Sequence, residues 1–295
     1  MTTEGVVSKR PARRRFAGLF HGRPRLQVAA LLAGPSAWLV VLYLGSLVVL
    51  LITAFWTVDA LSGEVIQGFS FENIEALLNE PVYRTIVWRT VRTAILVTLT
   101  DAVIAFPIAF YMAKVASRRG KALLVIAVLM PLWSSYLVKV LAWRTMLSQD
   151  GVINWALNPL GLHGPGYGLT AVWLVLSYLW LPYMILPIYA GLERIPDSLI
   201  SASEDLGAAP FTTFRRVIFP LAFPAVVAGS IFTFSLTLGD FITVRLVSNS
   251  QFIGTVIASS ITNDLPFAAA LALVPIVVMI AYLAVARKLG AFEHV

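Results

Sequence analysis

Long apolar runs alternate with short polar connectors along this chain. Six runs reach the roughly 20 residues needed to cross a bilayer as helix: one within 28–56, and others over about 93–113, 122–146, 169–192, 217–239 and 265–286. The first is uncharged, the second is interrupted by Asp101, and the third carries Lys139 and Arg144 late in its length. The stretch Arg84–Arg92 extends the second run past the hydrocarbon on one side. Between the first two runs, Phe71, Ile74 and Leu78 recur at helical spacing, which predicts a short amphipathic helix on the membrane surface. The connector from Asp150 to Gly166 is rich in Gly, Pro and Asn and reads as turns. Prolines fall in or near the spans at 35, 107, 131, 182, 187, 224 and 275, where neighbouring helices satisfy the carbonyls they free. The expected fold is an all-α integral membrane protein of six transmembrane helices, with one membrane domain over 28–288 and no composition break marking a second.

Composition supports this reading. Apolar residues make up 59% of the 295 and charged residues 13%, with mean hydropathy +0.84, against about 25% charge in soluble domains. Cysteine is absent, which excludes disulfides and thiolate metal sites. The net charge of +7 does not point to nucleic acid, because the cations flank membrane runs. Sixteen of the 22 Lys and Arg residues lie in 1–27, 114–121, 193–216 and 287–295, whereas the alternate connectors 58–84, 148–168 and 248–264 hold only Arg84. Positive charge stays on the cytoplasmic side, so both termini and the 193–216 connector are expected there. The arginine-rich segment 9–15 precedes an apolar run too long for a cleaved export signal. It reads as a basic tail, 1–27, lying on anionic headgroups ahead of a retained anchor; 289–295 is a short tail at the other terminus.

One connector is more than a link. Pro196 ends the preceding run and Asp197 or Ser198 can cap a new helix. Leu199, Ala202, Ser203 and Leu206 then fall on one face, with Ser201, Glu204 and Asp205 on another. Gly207 stands where a helix commonly ends on a left-handed residue, and Pro210 suits the first turn of the next helix. The product is a short helix, an elbow and a helix leading into the fifth span. A second local reading starts the helix a turn later, with Ser201 and Glu204 as a capping box.

The segment Ser201-Ala202-Ser203-Glu204-Asp205-Leu206-Gly207-Ala208-Ala209-Pro210, closing on Val217-Ile218-Phe219-Pro220, resembles the cytoplasmic loop of ABC-importer permease subunits. The family pattern is Glu-Ala-Ala-x-x-x-Gly followed by Ile-x-Leu-Pro; Ala202, Gly207 and Pro220 match it, and Ser201 replaces the leading Glu. The resemblance extends to 69–73, to 131–139 with Ala142-Trp143-Arg144, and to Gly151-Val152-Ile153-Asn154. Leu238-Gly239-Asp240-Phe241 is similar to the spermidine/putrescine permease branch. The resemblance implies the type I importer permease architecture, with the coupling loop at 194–216. It also implies that Ser201, Ala202, Ser203, Glu204, Asp205, Leu206, Gly207, Ala208 and Pro210 dock on an ATP-binding subunit. The implied partners are a second permease subunit, two ATP-binding subunits and an extracytoplasmic substrate-binding protein, in a bacterial cell membrane. ATP and Mg would be used by the partner and no cofactor would be held by this chain.

Charge within a span is costly and points to function. Asp240 can attract a cationic amine, or be neutralised locally by Arg245. Asp101 has similar chemistry, with Lys139 or Arg144 as the expected counter-ion. Trp133, Tyr136 and Trp143 can offer aromatic faces to an amine, although aromatics also anchor helices at the interface, and Phe241 joins Asp240 as a candidate for the substrate pathway. His21, His163 and His294 are scattered, and no Gly-rich phosphate loop ending in Lys-Ser/Thr occurs, so a membrane enzyme or self-sufficient ATPase is disfavoured. An ion-coupled secondary transporter would be expected to carry internal repeats and helices broken at mid-membrane, neither of which is visible in the sequence.

Overall fold

The computed structural model describes residues 24–59 and 61–288. The expected tails, except for 24–27, and with them His21 and His294, lie outside the described residues. The chain divides into two compact units, 1–52 and 53–295.

The first unit is the N-terminal span. Helix α1 (Pro24–Trp38) passes through a π-helical segment, Leu39–Leu44, into α2 (Gly45–Thr53). Leu31–Thr53 is long and apolar enough to cross a membrane.

The second unit opens with a two-residue hairpin, β1 (Thr57–Val58) against β2 (Val65–Ile66). Asp59 closes it, one carboxylate oxygen accepting the Leu61 and Ser62 backbone N–H groups at 2.8 Å. Those two bonds, Ser62 first, hold its carboxyl below the usual range. Gly63, at φ +70°, supplies the left-handed turn. The amphipathic helix expected near 71–78 is α3 (Glu72–Asn79), whose Ala76 and Leu77 pack on a cluster with Ile86, Ile253 and Phe267.

Helix α4 (Pro81–Phe110) continues as a π-helical segment, Tyr111–Val115. At 35 residues it is about 50 Å long at 1.5 Å per residue, well beyond the ~30 Å hydrocarbon thickness. It is therefore long enough for the arginine-bearing first turns, Arg84–Arg92, to stand beyond the hydrocarbon. Helices α8 (Leu169–Glu193) and α11 (Phe219–Gly239) pack with it to form the centre of the unit. Ala105, Ala109 and Met112 meet Met184, Ile188, Leu192 and Ala222 at one end, while Val97 joins Val172, Val175 and Leu176 nearer the other. Small residues let these helices approach closely, as is usual in membranes. A Cβ on Gly191 would lie 2.3 Å from the Ala225 Cβ, and one on Gly229 would lie 2.9 Å from the Met184 sulfur. Helix α14 (Leu265–Lys288) covers one side.

The third span differs from the expectation of one continuous helix over 122–146. It is two helices, α5 (Arg118–Trp133) and α6 (Tyr136–Leu147), the latter running on through α7 (Val152–Leu157), bent by 91° at the break. Ser134 and Ser135 adopt extended backbone. The Pro131 carbonyl, left without a helical partner, accepts from Ser134 Oγ at 2.8 Å and Lys139 Nζ at 3.0 Å. Counting that pair as one span, six candidate spans occur among the described residues; otherwise there are five.

Candidate functional site

The elbow is formed as the residues demand. Helix α9 (Asp197–Asp205) starts after extended Pro196, so Ser201 lies mid-helix and the alternative capping box is not made. At its end Gly207 takes φ +76°. The Ala208 N–H bonds the Ser203 carbonyl at 3.1 Å and the Gly207 N–H bonds that of Glu204 at 2.8 Å. Those two bonds are the paired closure of a Schellman turn. Ala209 is extended, and Pro210 opens α10 (Pro210–Thr213), which runs through the π-helical Phe214–Ile218 into α11. Ser203 and Thr213 hydroxyls meet at 2.9 Å, pinning one arm to the other.

The inward side of α9 is set by Ile200 and Ser203, which are half-buried, rather than by the whole set Leu199, Ala202, Ser203 and Leu206. Leu206 is 88% exposed and Phe211 72%, with Ser201, Glu204 and Asp205 exposed beside them. Large apolar side chains standing out of a polar segment mark a contact surface.

Two lysines that the sequence reading passed over fasten this elbow. Lys114 Nζ, in the π-helical end of α4, bonds the Ile195 carbonyl at 2.6 Å and Asp197 Oδ1 at 2.7 Å. Lys121 Nζ, on α5, bonds the Ala113 carbonyl at 2.7 Å and Glu193 Oε1 at 3.3 Å. Lys114 holds the Asp197 carboxyl below the usual range, by hydrogen bond and then by charge. The only sequence signal for these pairs was the cluster of cations in 114–121.

At the other end of the central helices, α11 stops at Gly239 and a short helix, α12 (Ile242–Val247), turns away. Asp240 sits at this break, 8% exposed. Its Oδ1 accepts the Thr243 N–H at 2.9 Å, and its Oδ2 accepts the Tyr136 hydroxyl. Tyr136, Trp180, Gly239, Asp240, Phe241 and Ile242 line a cleft of about 280 Å³. The Trp180 ring stacks on Tyr136 at 6.0 Å and 18°. Three of the six proposed pathway residues, Tyr136, Asp240 and Phe241, are thus brought together, with Trp180 as an unforeseen fourth.

The other three lie elsewhere. Trp133, 83% exposed, ends α5. Trp143 packs against Tyr178, ring centres 5.4 Å apart. Asp101 is fully buried, and neither carboxylate oxygen has a hydrogen-bond partner among the described residues. Two ion pairs occur among those residues, both at the elbow. The expected pairing of Asp101 with Lys139 or Arg144 is therefore not made. Lys139 is committed to the Pro131 carbonyl and Arg144 is exposed. Nor does Arg245 neutralise Asp240; it too is exposed, and Tyr136 and Thr243 take that place.

The second unit is thus a helical membrane domain with an exposed helix–elbow–helix at one end. The family of binding-protein-dependent transport system inner membrane components matches residues 28–290, and the chain belongs to it. It is 44% identical to the inner membrane ABC transporter permease protein YdcU of Escherichia coli (strain K12), over 96% of each chain. It is 30% identical to the spermidine/putrescine transport system permease protein PotB of Haemophilus influenzae (strain ATCC 51907 / DSM 11121 / KW20 / Rd), over 80% of this chain and 85% of that one. A chain of a bacterial alginate ABC transporter, solved in complex with an alginate pentasaccharide-bound periplasmic protein, superposes with TM-score 0.71 at 16% identity. That match covers 90% of this chain and 95% of that one, and it shows a shared fold. The chain is a multi-pass inner-membrane transport subunit.

Proposed function

We propose that the chain forms half of the translocation pathway of an ATP-driven importer for a small cation of the putrescine or spermidine kind. A second permease subunit completes the pathway, an extracytoplasmic binding protein delivers substrate, and two ATP-binding subunits drive alternating access through 194–216. The termini and the elbow face the cytoplasm, in line with the placement of Lys and Arg. The observation that carries the reading is the elbow itself. A helix closed by a left-handed glycine, with Leu206 and Phe211 turned outward beside Glu204 and Asp205, is a rigid surface offered to a partner.

Two observations favour an amine. PotB relatives share 30% identity, and the Asp240 carboxylate has no cation opposite it among the described residues. A carboxylate offers about four acceptor positions; the Tyr136 hydroxyl and the Thr243 N–H and hydroxyl take three, which leaves one for an ammonium group. The Tyr136, Trp180 and Phe241 rings beside it suit cation–π contact.

The test is purification of the tagged chain from its own host. An ATP-binding subunit, identified by mass spectrometry, should accompany the wild type and be lost or uncoupled in Gly207→Pro, which removes the Gly207 N–H bond and forbids positive φ. Absence of that subunit from the wild-type complex, or full uptake by the variant, overturns the coupling reading. Putrescine or spermidine, delivered with the binding protein, should raise ATP hydrolysis by the complex. If neither does, the amine assignment is wrong while the importer assignment stands.

A further inference from the structure

We infer that Lys114 and Lys121 are positioning residues, Lys114 tying the elbow to α4 and Lys121 tying α4 and α5 to the end of α8 from which the elbow departs, so that these helices move with it. The inference rests on the elbow being the coupling segment. By backbone alone, α9 reaches α8 on one side and α10–α11 on the other. Helices α4 and α5 are remote in sequence; Met112, Ala113 and Leu124 share an apolar cluster with Ile195 and Ile200, and Lys114 and Lys121 add directed polar ties across the same contact.

The Lys114 ammonium sits between the C-terminal end of α8, where a cation suits the helix dipole, and the start of α9, bonding the Ile195 carbonyl and Asp197. One cation thus serves both helix ends and links them to α4. The link is firm where it is buried: the Lys114 side chain is 10% exposed and ends on a backbone carbonyl, a charge-assisted bond. The Asp197 side chain is 85% exposed, so its share is screened by solvent. Lys121 doubles the link by holding both the Ala113 carbonyl of α4 and Glu193 at the end of α8. Both lysines act at or beside the π-helical Tyr111–Val115, where Ala116 N–H reaches back to the Tyr111 carbonyl at 2.9 Å. Such turns often mark functional sites. A second π-helical segment, Phe214–Ile218, follows the elbow. The elbow is thus flanked by two irregular turns and tied across one of them.

The experiment uses the intact complex with its ATP-binding subunits in lipid vesicles. This chain has no cysteine, so with any cysteines of the partner subunits replaced, spin labels at Ser198→Cys on α9 and Arg119→Cys on α5 report without background. With both lysines present, the distance between labels should be unchanged by ATP. In Lys114→Met the distribution should broaden and shift on ATP binding, and ATP hydrolysis should continue while uptake of putrescine is lost. Lys114→Arg should restore the fixed distance, and Asp197→Asn should alter it little. Lys121→Gln, which leaves the Lys114 contacts intact, serves as an independent variant should Lys114→Met fail to assemble, and should show a smaller shift. An ATP-dependent distance in the wild type, or an unmoved one in whichever of the two lysine variants assembles, overturns the inference. Failure of the wild type to retain an ATP-binding subunit would instead overturn the coupling reading beneath it.

Discussion

At the scale of single residues, Asp240 is the position whose chemistry and structure meet. Its carboxylate receives the Thr243 N–H and hydroxyl and the Tyr136 phenol, which orders the break between α11 and α12 and seats Tyr136 against it. Those bonds supply polar contacts without a compensating cation. Asp240→Asn preserves size and an acceptor for the Thr243 N–H while removing the charge. Its expected effect is a drop in putrescine uptake of about tenfold, equivalent to about 1.4 kcal/mol, with the amount of assembled complex unchanged. Full uptake at low putrescine would show that the charge plays no part in substrate passage. Tyr136→Phe removes the hydroxyl that meets both Asp240 and Thr243, and the stability of the purified protein should fall by about 1–3 kcal/mol, the cost of leaving a buried polar group short of a partner. The sequence displayed the acid and the aromatics, but not which of them meet. Trp180 gave no separate signal within an apolar helix, and Lys139 appeared available to Asp101. A lysine can be satisfied by one backbone carbonyl, here that of Pro131, and such a bond leaves no trace in composition.

At the scale of elements, hydropathy found the spans but not the direction of the third. Pro107, Pro182, Pro187, Pro224 and Pro275 all sit inside helices that continue, so Pro131 by itself did not announce a break. What differs is the pair Ser134-Ser135 and the lysine one turn on, which together supply donors to the abandoned carbonyl. The close approach of α8 and α11 is likewise hidden in sequence, because a glycine in a membrane helix has no fixed neighbour until the helices pack. Gly191→Ala places a Cβ at 2.3 Å from that of Ala225, and overpacking of this kind costs about 1–3 kcal/mol. The single variant should melt earlier in detergent. Adding Ala225→Gly removes the colliding methyl and should return most of the loss, since the Ala225 Cα lies 3.8 Å away. A double variant no better than the single one would mean that the two helices do not meet there.

At the scale of the whole molecule, charge, helix direction and the elbow give one consistent sidedness for the second unit. Lys114 and Lys121 meet Asp197 and Glu193, which puts the end of α4, the start of α5, the end of α8 and the elbow together. The beginning of α4 packs instead with α3, α13 (Ile253–Ser260) and the start of α14, so the last residues of α14, Arg287 and Lys288, lie toward the elbow end. Asp59, Glu64, Glu72 and Glu75 belong to the opposite end, beside the hairpin and α3. The charge bias visible along the sequence is therefore a bias between two faces, and the positive face carries the elbow. A membrane-impermeant maleimide applied to intact spheroplasts reads this directly, because the chain has no cysteine of its own. Leu61→Cys, at a hairpin position 99% exposed, should label at once. Leu206→Cys, 88% exposed at the elbow, should label only after the membrane is opened. Labelling of Leu206→Cys in intact spheroplasts would place the elbow on the wrong side for any ATP-binding partner, and the importer mechanism would fall with it.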